Sequence, residues 1–186
     1  MNKNIKRWMI IAMLSAIAII VGYIESFIPV FIPGVKLGLA NVIILMMIYE
    51  FKFYEGLVVD IIRILVVALI RGTLLQPVFF MSLAGGLSSF LIMLLFSKIK
   101  IFTAVGTSVM GSIFHSAAQM VVAYIIISST AVYYYLPIII LLSIGTGILS
   151  GFICDIYLSR SITSLYIDVK KYPYKKEKEE MNIIDD

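Results

Sequence analysis

One pattern limits the fold of this chain more than any other. Apolar runs approaching the thickness of a bilayer follow one another, separated by short polar turns. They extend from about Trp8 to Ile28, Gly56 to Ile70, Pro77 to Phe96, Ile101 to Ile127 and Leu136 to Leu158. A further run, Leu37 to Tyr49, is shorter than the ~20 residues needed to cross unaided. It either starts within the membrane or is extended by the loop before it. Hydrophobic residues make up 61% of the chain and charged residues 14%, against roughly 45–50% and about 25% in soluble domains. The solvent of this chain is therefore expected to be lipid. The expected fold is all-α: a polytopic membrane protein with a six-transmembrane-helix bundle over residues 1–160 and a polar cytoplasmic tail over residues 161–186.

The charges orient that bundle. Lys3, Lys6 and Arg7 precede the first run, Lys52 and Lys98 with Lys100 sit in alternate turns, and Lys170, Lys171, Lys175, Lys176 and Lys178 crowd the tail. The opposite turns hold only Lys36 and Arg71. Cytoplasmic loops carry the excess of Lys and Arg, so both termini are expected in the cytoplasm of a cell whose plasma membrane the chain crosses. The net charge of +4 is thereby a topological signal and gives no reason to expect nucleic acid. Trp8 and Tyr133–Tyr135, the latter in an expected loop over 128–135, suit membrane interfaces. The first run lacks a small-residue cleavage site and more runs follow, so it is expected to stay with the chain. The lone Cys154 excludes an internal disulfide framework and a thiolate metal cluster.

One stretch interrupts the apolar pattern, Glu25 to Asn41. Pro29 and Pro33 each remove a backbone donor and clash with the preceding turn, so no unbroken helix runs through it. Pro33-Gly34 signals a turn. Glu25, Lys36 and Asn41 lie among apolar neighbours, where a polar group needs a partner or a role. The stretch reads as a loop dipping into one end of the bundle and helping to form a ligand site. Glu25 can pair with Lys36 across it.

Other polar residues inside the runs are few. Asp60 and Arg63 are three apart on one helical face and read as a structural ion pair. His115 and Gln119 share a face with Ser112 and Ser116, which reads either as a hydrogen-bonded helix seam or as a cavity wall. Asp155 near the inner surface can meet a basic turn. One histidine without clustered carboxylates or thiolates leaves too few ligands for a metal. A glycine loop ending in Lys-Ser or Lys-Thr is absent, as is an Asp-rich pair for magnesium and diphosphate within the runs. No catalytic residue and no cofactor are expected. Ala12 and Ala16, with Ala18 and Gly22 beyond, put small residues on the first helix for internal packing or a partner surface.

Ile32-Pro-Gly-Val-Lys-Leu-Gly-Leu-Ala-Asn41, Ser82-Leu-Ala-Gly-Gly-Leu87, and Phe114-His115 with Gln119 resemble the bacterial Gx transporter family. Many of its members are labelled heptaprenyl diphosphate synthase component I. The resemblance covers roughly residues 8–160. The family's plan is similar to the S components of energy-coupling factor (ECF) transporters, six-helix proteins that capture a vitamin or precursor outside. They then dock on a coupling protein driven by two ATPases. By that likeness Ala12 and Ala16 would contact the coupling protein. A small anionic ligand would meet Glu25, Lys36, Asn41, Arg71, His115 and Gln119. The synthase label implies instead a non-catalytic membrane accessory of prenyl diphosphate or quinone synthesis, since the Asp-rich motifs are missing. A plain membrane scaffold is the third reading.

Overall fold

A ten-residue helix, α2 (Asn41–Glu50), occupies the middle of the molecule, and every one of its residues is buried. The structure is a computed structural model describing residues 3–28, 36, 38–99 and 101–160. Around α2 stand α1 (Lys3–Glu25), α3 (Phe53–Ile70), α4 (Pro77–Phe96), α5 (Ala104–Ile127) and α6 (Ala131–Arg160). The described residues contain these six helices and no strand. Helix α2 touches all five others. A helix that is apolar all round has no face to offer water and is driven to the centre of a larger assembly. Its side chains from Val42 to Tyr49 form the main apolar core with Ile11, Leu14, Ala18, Val59, Phe90 and Met93.

Four helices are long and apolar enough to cross a membrane: α4, α5, α6 and the Ile5–Glu25 part of α1. At 1.5 Å per residue, the 20 residues of α4 reach about 30 Å, the hydrocarbon thickness. Helix α2 is too short. Helix α3 has 18 residues but carries Glu55, Asp60 and Arg63, which take it outside that group. The large apolar side chains left exposed on α1, α4, α5 and α6 suit lipid contact, so the chain has the build of a membrane protein.

Helices α5 and α6 approach most closely. A Cβ on Gly147 would lie 2.8 Å from the Val109 Cα, and one on Gly151 would lie 2.5 Å from the Val105 Cα. Two glycines four apart therefore bring the backbones into contact, the small-residue packing used in membranes. Ser116 and Ser143 close the same seam at 2.5 Å.

Helix limits depart from the sequence reading by a few residues in several helices, with consequences for contacts in α6 and α3. Helix α6 starts at Ala131, so Tyr133–Tyr135 lie on its first turns and the loop over 128–135 shrinks to three residues, 128–130. Pro137 is accommodated inside that helix. Helix α3 starts at Phe53, which moves Glu55 from a turn into the first helical turn. There its carboxylate accepts the Lys52 N–H at 2.9 Å, capping the helix where a negative charge is favoured. Arg7 joins Glu55 through Nε at 3.1 Å and Nη2 at 2.6 Å, tying α1 to α3. Asp155 shows no basic partner for Oδ1, which is buried without a hydrogen bond. The turn at Pro29–Gly34 and the tail over 161–186 lie outside the described residues.

Candidate functional site

The end of α1 is held to the start of α2 by one carboxylate. Glu25, 4% exposed, accepts the backbone N–H groups of Gly38, of Leu39 at 3.1 Å and of Ala40 at 3.3 Å. Three N–H groups can converge because Gly38 has φ +82°, a left-handed conformation that costs glycine little. A Cβ there would also press to 2.9 Å from Asn41 Nδ2. The arrangement places an anion at the N-terminal end of α2, where the helix dipole and unpaired donors favour it. This corrects the expected Glu25–Lys36 pair. Among the described residues, the only ion pairs within 4 Å are Arg7–Glu55 and Asp60–Arg63. The loop satisfies Glu25 with its own backbone, which lies nearer than the lysine head.

Three polar side chains follow in one connected group. Asn41 Nδ2 donates to Ser89 Oγ at 2.9 Å and lies 3.3 Å from His115 Nδ1, while Asn41 Oδ1 accepts from Arg63 Nη2 at 3.4 Å. The Lys36 N–H donates to Gln119 Oε1 at 2.9 Å. That bond turns the Gln119 amide nitrogen toward His115 Nε2, 3.1 Å away. An amide nitrogen thus faces each ring nitrogen of His115, and a neutral ring accepts at only one of the two. Both His115 and Gln119 are buried against α4 at Gly85, where a Cβ would lie 2.8 Å from Gln119 Cγ. Ser112 and Ser116 turn elsewhere: Ser116 bonds α6, and Ser112 Oγ is buried without a partner. The expected polar stripe thus divides into a seam and a site wall.

Gly22, Glu25, Lys36, Arg63, Ile64, Val67, Ser82 and His115 line a narrow cleft of about 20 Å³. Its walls are α1, α3, α4, α5 and the segment leading into α2. Of the residues expected at a ligand site, Glu25, Lys36 and His115 line the cleft directly. Asn41 and Gln119 stand behind them as hydrogen-bond supports. Arg71 stands apart at the C-terminal end of α3, its guanidinium 5.7 Å from the Phe27 ring centre. Ala12 and Ala16 are exposed on the outward face of α1. Asp60 and Arg63 form the expected pair, but Arg63 also faces the cleft, which its sequence spacing did not disclose. A lone arginine in an apolar helix was the available signal.

Lys36 is the second cation of the cleft. Burial lowers its ammonium to about 8; Glu25 opposes the shift, and Arg63 and Arg71 add to it. Lys36 and Arg63 line the cleft together with the Glu25 carboxylate, against apolar walls of Ile64 and Val67, and Arg63 is paired with Asp60. Cations beside apolar walls suit an oxyanion, and the cleft as it stands has room for about one water, so a larger ligand has to widen it. Among the described residues no group of three or more His, Cys, Asp and Glu side chains converges as a metal site.

Comparison with known proteins gives one family. No curated protein and no solved structure matches the chain. The family described as heptaprenyl diphosphate synthase component I matches residues 14–157, a span containing α2 to α5 whole and every residue that lines the cleft. The chain belongs to the heptaprenyl diphosphate synthase component I family.

Proposed function

We propose that this protein is the ligand-holding membrane subunit of an ECF-type importer, taking a small anionic vitamin- or cofactor-related precursor from outside. The observation that carries the reading is the cleft itself. Two cations, Lys36 and Arg63, line one narrow space with Glu25, whose oxygens are taken by backbone N–H groups, and Lys36 has no ion pair among the described residues. A buried cation in a membrane bundle calls for a partner, and an anionic ligand supplies one. Asn41 and Gln119 hold His115 and the loop in register, and Arg71 near the rim adds attraction for an incoming anion. All six helices cross or enter the plasma membrane in this reading, with both termini in the cytoplasm. The exposed Ala12 and Ala16 face of α1 docks on the coupling protein, whose two ATPases drive release. No bond of the ligand is made or broken here.

The test is uptake and binding together. The purified chain binds its ligand alone, identified by mass spectrometry of the natively purified protein. Uptake of that compound disappears when the coupling module is deleted. Unchanged uptake in that strain rejects the importer reading. The family's name points to a second reading, an accessory that sits with a synthase partner without catalysing the reaction. Co-purification of a soluble prenyl transferase, with altered product length when this chain is removed, would favour it.

A further inference from the structure

Two ion pairs in this molecule differ in a way that separates structure from recognition. Arg7 and Glu55 are joined through two guanidinium nitrogens and both carboxylate oxygens, and a backbone N–H completes the carboxylate. That is the forked geometry of a satisfied pair. Arg63 and Asp60 are far more buried, with side chains 7% and 1% exposed, yet they are joined through Nη2 and Oδ1 alone. Arg63 Nε and Asp60 Oδ2 are buried without any hydrogen-bond partner. The second contact of Arg63, to Asn41 Oδ1, is long at 3.4 Å. Leaving a charged group part-satisfied is costly where water is excluded. The backbone of α4 shuts in the Asp60 side, since a Cβ on Gly86 would lie 3.0 Å from Oδ2. Arg63 is among the residues that line the cleft with Lys36.

We infer that Arg63 is the anchor for the ligand's oxyanion, and that Asp60 is a positioning residue holding the guanidinium at the cleft wall until the anion arrives. This rests on the anion-binding reading above and deepens it. A phosphate or carboxylate group takes the unmet N–H of Arg63 while Lys36 supplies the second charge. Asp60 competes for the same guanidinium, so occupancy of the cleft loosens the α3 pair. The ligand class is therefore an oxyanion able to accept a forked donor, which excludes neutral and cationic compounds.

The test uses the full chain in lipid nanodiscs, with inorganic pyrophosphate and benzoate as the phosphate and carboxylate probes, measured by calorimetry. At least one probe binds the wild type. Arg63→Gln weakens it about 10- to 100-fold, the size of a lost charged hydrogen bond. Arg63→Lys, which lacks the fork, weakens it about tenfold. Asp60→Asn frees the guanidinium and tightens binding about tenfold. If Arg63→Gln fails to fold, the double variant Asp60→Asn with Arg63→Gln removes both charges together, and it is expected to fold and not to bind. Unchanged affinity in the folded Arg63 variants, with Lys36→Gln still weakening binding, overturns the role of Arg63 and leaves the anion cleft standing. Absence of binding by either probe to both wild type and Asp60→Asn overturns both readings.

Discussion

Replacing Glu25 by alanine should loosen the loop before α2 far more than replacing Lys36 does. The carboxylate accepts three backbone N–H groups, those of Gly38, Leu39 and Ala40. Its loss leaves three donors near the start of α2 without their acceptor. A hydrogen bond to a charged group contributes about 1.5–3 kcal/mol, and with the longer contacts at the low end the sum is about 4.5–6 kcal/mol. For a chain of this size that is a fall of roughly 9–24 °C in melting temperature. Glu25→Gln keeps one acceptor oxygen and should cost about 1–2 kcal/mol. Lys36→Met removes a largely buried ammonium that has no ion pair among the described residues, so it should be neutral or stabilising. Had the two been a buried pair, either change would cost about 3–5 kcal/mol. The assay is heating of the detergent-solubilised protein followed by size-exclusion chromatography, read as the temperature at which half the monodisperse peak is lost. Equal falls for Glu25→Ala and Lys36→Met, or no fall for Glu25→Ala, refute the reasoning.

Four further outcomes can be measured. The Lys36 ammonium is lowered to about 8 in the fold, against 10.5 for the ordinary group. Between those values the unfolded chain binds the proton and the folded chain does not, so stability should rise with pH across that window. Lys36→Met should abolish the rise in a pH series of melting temperatures. For the same reason affinity for an oxyanion should fall as pH rises through about 8, and titration calorimetry at pH 7 and pH 9 measures it. Gly151→Leu puts a side chain where a single Cβ already lies 2.5 Å from Val105 Cα. It should part α5 from α6 and abolish the monodisperse peak on size-exclusion chromatography, whereas Gly145→Leu, with no atom within 4 Å of its Cβ, should be tolerated. Ala12→Trp with Ala16→Trp alters only the exposed face of α1. It should leave probe binding unchanged and lower pull-down of a coupling protein, so retained pull-down rejects that face as the contact.

Much of this fold was legible because lipid imposes a simple rule. Apolar length marks helices wherever a membrane is the solvent, and Pro77–Phe96 is the same in sequence and structure. The break between Glu25 and Asn41, the pair of Asp60 with Arg63 and the shared face of His115 with Gln119 are matters of spacing along one chain. They could be read before any folding was known. Local rules failed where a distant neighbour decided the outcome. Residues 131–135 look like an interfacial loop by composition, yet they are helical and pack through Val132 against Met81, Met120 and Ile139.

The sequence by itself determined that this is a helical, lipid-facing chain with a small set of buried polar residues. It also picked out Glu25, Asn41, Asp60, Arg63, His115 and Gln119, whose cost in hydrocarbon makes each stand out, but not Glu50 and Glu55, which read as a polar turn and are buried. Only the tertiary structure decided their partners. Lys36 and Gln119 are 83 residues apart and Asn41 and His115 are 74 apart, and no periodicity within one helix reaches across such separations. Glu25 met backbone N–H groups rather than Lys36 because Gly38 turns the loop back onto it. Arg63 came to face the cleft because α3 packs beside α1 and the fully buried α2. Which groups are unsatisfied, and so able to receive a ligand, depends on every neighbour at once, and that information exists only in the folded chain.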